Sequence, residues 1–260
     1  MPRRTAYAQG TPSWVDLQTT DASAAKSFYG GLFGWQFDDQ PMPDGPPYSM
    51  ALKNGEVVAG LYTQSADMAA QGVPPMWSTY IAVDDVDSAT QRVKNAGGQV
   101  LMPPSDVMDS GRMSFVADPS GAAVGLWQAK GHIGAMLVNE PGTVIWNELI
   151  TSNGEAAFAF YSEVLGLRAE VSDMGGNPYT LFKVGDAMVA GSMPPPMEGI
   201  PNHWHVYFAV EDIDAALTKA RELGANVVNG PFPTPIGPMA TLSDPQGAMF
   251  SLFAPSGQVE

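Results

Sequence analysis

"WSTYIAVDDVDSATQRVKNAGGQVL", residues 77–101, and "WHVYFAVEDIDAALTKARELGANVV", residues 204–228, align without a gap at an offset of 127. Downstream, "FVADPSGAAVGLW" (115–127) answers "TLSDPQGAMFSLF" (241–253) at an offset of 126. Upstream, "WVDLQTTDASAAKSFYGGLFGW" (14–35) answers "WNELITSNGEAAFAFYSEVLGL" (146–167) at an offset of 132. Three blocks in the same order and at nearly constant spacing mark an internal duplication. The chain reads as two homologous halves, 1–130 and 131–260, joined near "QAKGHIGAMLVNEPG" (128–142).

Each half divides again. "SWVDLQT" alternates as a strand, and Asp21 caps the helix "ASAAKSFYGGLF", which glycine ends. "STYIAVD" repeats the pattern, with Asp85 capping "VDSATQRVKNAGG". Shorter alternating segments follow each pair: "YSMALKNG" and "EVVAGLYT", then "QVLMP", "RMSFVADPSG" and "AAVGLWQ". The repeating unit is β-α-β-β(-β), four times over, an α+β chain.

Composition narrows the functional classes. The chain has no cysteine, so disulfides, thiolate nucleophiles, zinc–cysteine sites and iron–sulfur clusters are excluded. Twelve basic residues against twenty-seven acidic ones give a formal charge of −15. Such a surface repels nucleic acid and anionic lipid, whose binding relies on Lys and Arg at phosphates. No apolar run reaches the roughly 18–20 residues of a membrane span. No apolar segment follows the basic start "MPRRTAYAQG", so a cytoplasmic location is expected. GxGxxG, Walker and GxSxG patterns are missing from the strand–helix junctions.

The pattern D-x-x-x-A-x-x-FY with a following glycine, then the YIAVDDVD-like and DP-x-G-like blocks, resembles the vicinal oxygen chelate superfamily. That group includes glyoxalase I, extradiol dioxygenases, and fosfomycin- and bleomycin-resistance proteins. More narrowly, "TPSWVDLQTTD", "HIGAMLVNEPGT" and "IWNEL" are similar to actinobacterial tandem glyoxalase-like proteins. The resemblance implies paired βαβββ modules that form half-open barrels, each with a ligand cavity. Modules that pair within one chain make both a monomer and a homodimer compatible with the fold.

The resemblance also implies where a metal would sit. The first-strand ligand position falls on Trp14 and Trp146, its counterpart on Ser78 and His205, and the terminal-strand position on Gly125 and Ser251. Indole, the glycine and the serines are not the His or Glu donors these positions carry in metal-using members, so the usual site is expected to be absent, with no cofactor. One alternative stays open. His203 shares a strand face with His205, and Glu148 lies two residues beyond Trp146, so the three could hold one divalent ion in the second half.

Strand alternation places Trp14, Asp16 and Gln18 on one face, and Trp146 and Glu148 on its equivalent. Tyr80, Trp127, His203, His205, Tyr207 and Phe253 join them as ligand-binding candidates, with Arg112 at the first cavity's mouth. Aromatic walls with one carboxyl per half suit a small, partly aromatic or hydrophobic metabolite. Asp16 and Glu148, desolvated beside indoles, are the candidate acid–base groups. The expectation is therefore a small-molecule binder without the usual metal. A metal-dependent or acid–base lyase, isomerase or dioxygenase is the alternative.

Overall fold

The computed structural model describes residues 3–43, 45–173 and 178–257. The first module is β1 (Pro12–Thr19), α1 (Ala22–Phe33), β2 (Gln36–Gln40), β3 (Tyr48–Lys53) and β4 (Glu56–Thr63). After a short helix, α2 (Ala66–Ala70), come β5 (Met76–Ala82), α3 (Val86–Asn95), β6 (Gln99–Val107), β7 (Gly111–Ala117) and β8 (Ala123–Ala129). The second half repeats this as β9 (Val144–Ile150), α4 (Gly154–Leu165), β10 (Arg168–Asp173), β11 (Pro178–Val184) and β12 (Ala187–Met193). It closes with β13 (His203–Ala209), α5 (Ile213–Glu222), β14 (Asn226–Phe232), β15 (Met239–Ser243) and β16 (Met249–Phe253). The βαβββ unit occurs four times, as the repeat predicts.

Local chemistry explains the repeated helix starts. Asp21, Asp85, Asn153 and Asp212 each accept a hydrogen bond from the backbone N–H three residues on. That satisfies a donor the first helical turn leaves open. The two Phe-Tyr helices, α1 and α4, stop at Gly34 and Gly166, both left-handed, a conformation in which a Cβ would be strained.

Each half makes one eight-stranded sheet, β2-β3-β4-β1-β5-β8-β7-β6 and β10-β11-β12-β9-β13-β16-β15-β14. At each centre the first strands of the two modules run antiparallel, and each is flanked by its own module's last strand in parallel. The sheets curl. In the first, Tyr48 and Met50 from one arm join Val107, Met113 and Phe115 from the other in one apolar cluster around Trp14 and Tyr80.

The convex sides pack across the halves. α1 lies in a core shared with Phe208, Leu217 and Phe250, and α3 in a core shared with Phe160, Phe182 and Trp204. Module one therefore packs on module four, and module two on module three. Two reciprocal hydrogen-bond chains fasten this seam. Trp77 donates to Tyr29 Oη (2.9 Å), which donates to Asp244 (3.0 Å); Trp204 donates to Tyr161 Oη (2.9 Å), which donates to Asp118 (3.2 Å). The aspartates are those of the two DP-x-G blocks, and the tyrosines those of the two Phe-Tyr pairs.

Candidate functional site

The concave faces carry the candidate chemistry. On the first, β1 presents Trp14, Asp16 and Gln18, and β5 presents Tyr80. Tyr48 on β3 and Tyr80 both donate to Asp16 Oδ2, at 3.1 and 3.0 Å, while Trp14 Nε1 donates to Tyr48 Oη at 2.9 Å. Asp16 is only 3% exposed, and its second oxygen, Oδ1, has no partner. Desolvation by this burial lifts its pKa to about 7, against the two tyrosine hydrogen bonds that pull it down. Near neutral pH this carboxyl is divided between its neutral and charged forms.

The second face repeats the arrangement. Tyr207 donates to Glu148 Oε2 at 2.5 Å, and Trp146 Nε1 donates to Tyr179 Oη at 2.9 Å. Glu148 is raised above the usual carboxylate range, chiefly by desolvation, with the Tyr207 and Tyr179 hydroxyls partly offsetting it. A Trp–Tyr–acid–Tyr cluster thus stands in both halves.

Glycine makes room for it. Gly60 lies opposite Asp16 on β4 and Gly191 opposite Glu148 on β12. A Cβ would fall 1.9 Å from Tyr48 Oη at the first and 2.0 Å from Tyr179 Oη at the second. Tyr48 and Tyr179 escaped sequence reasoning because they come from strands outside the compared blocks. A signal existed: each tyrosine stands twelve residues before the glycine of a Val-Ala-Gly triplet.

The remaining candidates separate. Gln18 accepts from Tyr62 (3.3 Å) and donates to the Pro74 carbonyl. Trp127 joins the first face's apolar cluster, and Phe253 a smaller one with Tyr207, Trp146 and Met239. Arg112 forms a two-pronged pair with Asp87 and a contact to Asp106 on the surface. His132, in the segment joining the halves, stands edge-on to Trp14 at 4.5 Å and to Trp127 at 5.8 Å. Its place in a connector with no periodicity hid it from the sequence.

The ligand positions of the metal-using relatives do not fit an ion. His205 Nε2 meets Ser251 Oγ at 2.8 Å, and burial depresses the imidazole to about 3, His203 adding to the effect. His203 Nδ1 faces the Pro201 carbonyl at 2.8 Å. Glu148 is held by tyrosine. Among the described residues no three His, Asp or Glu side chains converge to hold a metal, so His203, His205 and Glu148 are not gathered as a ligand set. Nor is any helix among them long and apolar enough to cross a membrane.

Comparison with known proteins agrees with this architecture. A relative from Mycobacterium tuberculosis named "Putative glyoxylase CFP32" is 56% identical over 99% of this chain and 100% of its own length. "Anthracycline biosynthesis protein DnrV" of Streptomyces peucetius is 39% identical, covering 95% of this chain and 94% of its own. Among solved structures, the Mn(II)-bound glyoxalase from Novosphingobium aromaticivorans superposes with a TM-score of 0.63 at 17% identity, over 94% of this chain and 81% of that one. The 2,3-dioxygenase LapB from Pseudomonas sp. KL28 gives 0.63 at 15% identity, over 94% and 91%. At these identities the two structures speak for the fold alone. The Glyoxalase/Bleomycin resistance protein/Dioxygenase superfamily model matches residues 11–126 and again 140–252, and the chain belongs to that superfamily.

Proposed function

We propose that this protein binds a small, flat, partly aromatic molecule against a tryptophan–tyrosine–acid face, without the divalent ion used by metal-dependent members of its superfamily. The observation that carries this reading is the Trp–Tyr–acid–Tyr cluster, built twice; the family resemblance puts Trp14, Ser78 and Gly125, or Trp146, His205 and Ser251, where metal-using members carry their ligands. An indole and two phenols offer ring faces to stack on, and the acid with its hydroxyls orients one polar edge. The name of the 39%-identical relative points the same way, since anthracyclines are flat fused-ring aromatics.

A second reading rests on one observation. Asp16 titrates near 7 with Oδ1 unpartnered, and Glu148 is raised with it, so either acid is suited to moving a proton on a bound carbonyl or phenol. In that case the protein is an acid–base lyase or isomerase rather than a binder.

The test is a tryptophan-fluorescence titration with 1,4-dihydroxyanthraquinone, before and after dialysis against EDTA. Saturable quenching that EDTA leaves unchanged is expected. Binding or turnover that vanishes with EDTA and returns with Mn(II) or Fe(II) would overturn the metal-free reading. Turnover of a related substrate lost in Glu148→Gln without loss of binding would favour the enzyme.

A further inference from the structure

The two concave faces meet different neighbours. Across the first runs the segment that joins the halves. Its Ala135 N–H donates to the Ser13 carbonyl on β1 (2.8 Å), and its Met136 N–H to the Val57 carbonyl on β4 (2.7 Å). His132 sits edge-on against both tryptophans of that face, and its own carbonyl accepts from Trp127 Nε1 at 2.9 Å. Ala135 and Val138 pack into the same cluster as Trp14, Tyr80 and Trp127. Gly134 passes so close that a Cβ would lie 2.2 Å from the Ser13 carbonyl.

The N-terminal arm then clamps this segment. The Arg4 N–H donates to the Met136 carbonyl at 2.9 Å, Tyr7 Oη to the Ala135 carbonyl at 2.5 Å, and Arg3 pairs with Glu56. Trp14, Tyr80 and Trp127 end up buried.

Among the described residues the second face has no such cover. Beyond β16, the Ala254 and Ser256 N–H groups donate to the Pro238 and Ile236 carbonyls. Among the described residues no ring stacks on Trp146, and Trp146, Tyr179 and Tyr207 remain half-buried. Its charges are equally distinct. Lys183 pairs with Glu170, Arg168 with Asp186 and Lys219 with Glu222, and none of these pairs includes Glu148. Among the described residues no ion pair or hydrogen bond joins a cation to Glu148.

Resting on the ligand reading above, we propose that the halves have divided their labour. The segment around His132 occupies the first face as an internal ligand. One external molecule, flat and either neutral or cationic, binds on the second face, between Trp146 and Tyr207 and beside Glu148. An anionic ligand is disfavoured there because its charge would sit beside the buried Glu148, which no described cation pairs.

Calorimetric titration with 1,4-dihydroxyanthraquinone should saturate at one molecule per chain and weaken at least about tenfold in Trp146→Ala, the loss of one stacking anchor. Anthraquinone-2-sulfonate should bind more weakly than the neutral probe. Two equivalents in the native protein, or tighter binding of the sulfonate, would overturn the assignment. The internal ligand has its own test: millimolar imidazole should raise the melting temperature of His132→Gly and leave the native protein unmoved. Should that variant not fold, NMR titration of the native histidines decides the point. His132 should stay neutral to about pH 4, whereas ordinary titration near 6.5 would contradict its seat between the tryptophans. Absence of any probe binding would defeat the ligand reading itself, while the imidazole and NMR results would still decide the role of His132.

Discussion

The seam between the halves and the faces they enclose obey different constraints. Across the seam the same parts recur in both directions: Trp77–Tyr29–Asp244 answers Trp204–Tyr161–Asp118, both tyrosines fully buried. On the concave faces the Trp–Tyr–acid–Tyr cluster recurs with the glycine opposite its acid. Around it, Ser78 stands where the second half has His205, Gly125 where it has Ser251, and among the described residues His132 covers the first face alone. A packed interface between two different modules tolerates little change in shape, because close-packed side chains have nowhere to move. A concave wall touching solvent or a ligand is freer to differ. The fold therefore rests on the seam, and the proposed division of labour between the halves on the departures from symmetry.

The largest expected effect comes from breaking the seam. Tyr29→Ala or Tyr161→Ala removes a buried ring and leaves one aspartate oxygen, Oδ2, and an indole N–H without their partner, at a cost of about 3–5 kcal/mol. The two variants should lose similar amounts in urea denaturation, in a single transition, because each core draws on both halves. Separate unfolding of the halves would break the comparison.

Next comes the pH dependence of the first face. Native Asp16 stays neutral up to about 7, whereas the unfolded carboxyl ionises near 3.8. Its stabilisation is complete below the unfolded value and is lost as pH rises through about 7. Native His132 stays neutral down to about 4 against 6.5 unfolded, through desolvation. Its contribution is present above 6.5 and is lost as pH falls through about 4. The two slopes oppose each other in overlapping windows. Taken as differences from the native profile, which cancel the shared shifts of His205 and Glu148, Asp16→Asn should remove a loss of stability toward neutral pH and His132→Gln a loss toward acid, each by up to about 4 kcal/mol. Urea midpoints measured across that range check the sign, and a flat difference profile for both variants would contradict the burial of these groups.

Smaller again, Gly60→Ala and Gly191→Ala should each cost about 1–3 kcal/mol by displacing Tyr48 or Tyr179 from its acid. Gly191→Ala should also weaken 1,4-dihydroxyanthraquinone binding, and Gly60→Ala should leave it unchanged. The smallest effect belongs to Arg112→Gln. Its guanidinium is engaged by Asp87 and Asp106, so probe affinity should stay within error.

The fold was legible because duplication and strand alternation are local signals. The gapless match of residues 77–101 with 204–228 and the four helix caps locate every module. Alternation likewise placed Trp14 with Asp16 and Trp146 with Glu148. It could not place Tyr48 and Tyr179, which reach those acids only because the sheet brings a neighbouring strand opposite a glycine. His132 lies in a connector whose path is set by two backbone hydrogen bonds, at Ser13 and Val57, with no periodic trace. Arg112 looked available in the sequence because its partner Asp87 sits on a different element, α3. Pairing within the chain, invisible along it, decided which candidates meet.

The most direct test is a crystal structure of EDTA-treated protein soaked with 1,4-dihydroxyanthraquinone. The account predicts one ring system between Trp146 and Tyr207, a polar edge on Glu148, His132 still seated against Trp14, and no metal peak. A ring system seated against Trp14 with His132 displaced, or an anomalous metal peak among His203, His205 and Glu148, would contradict it.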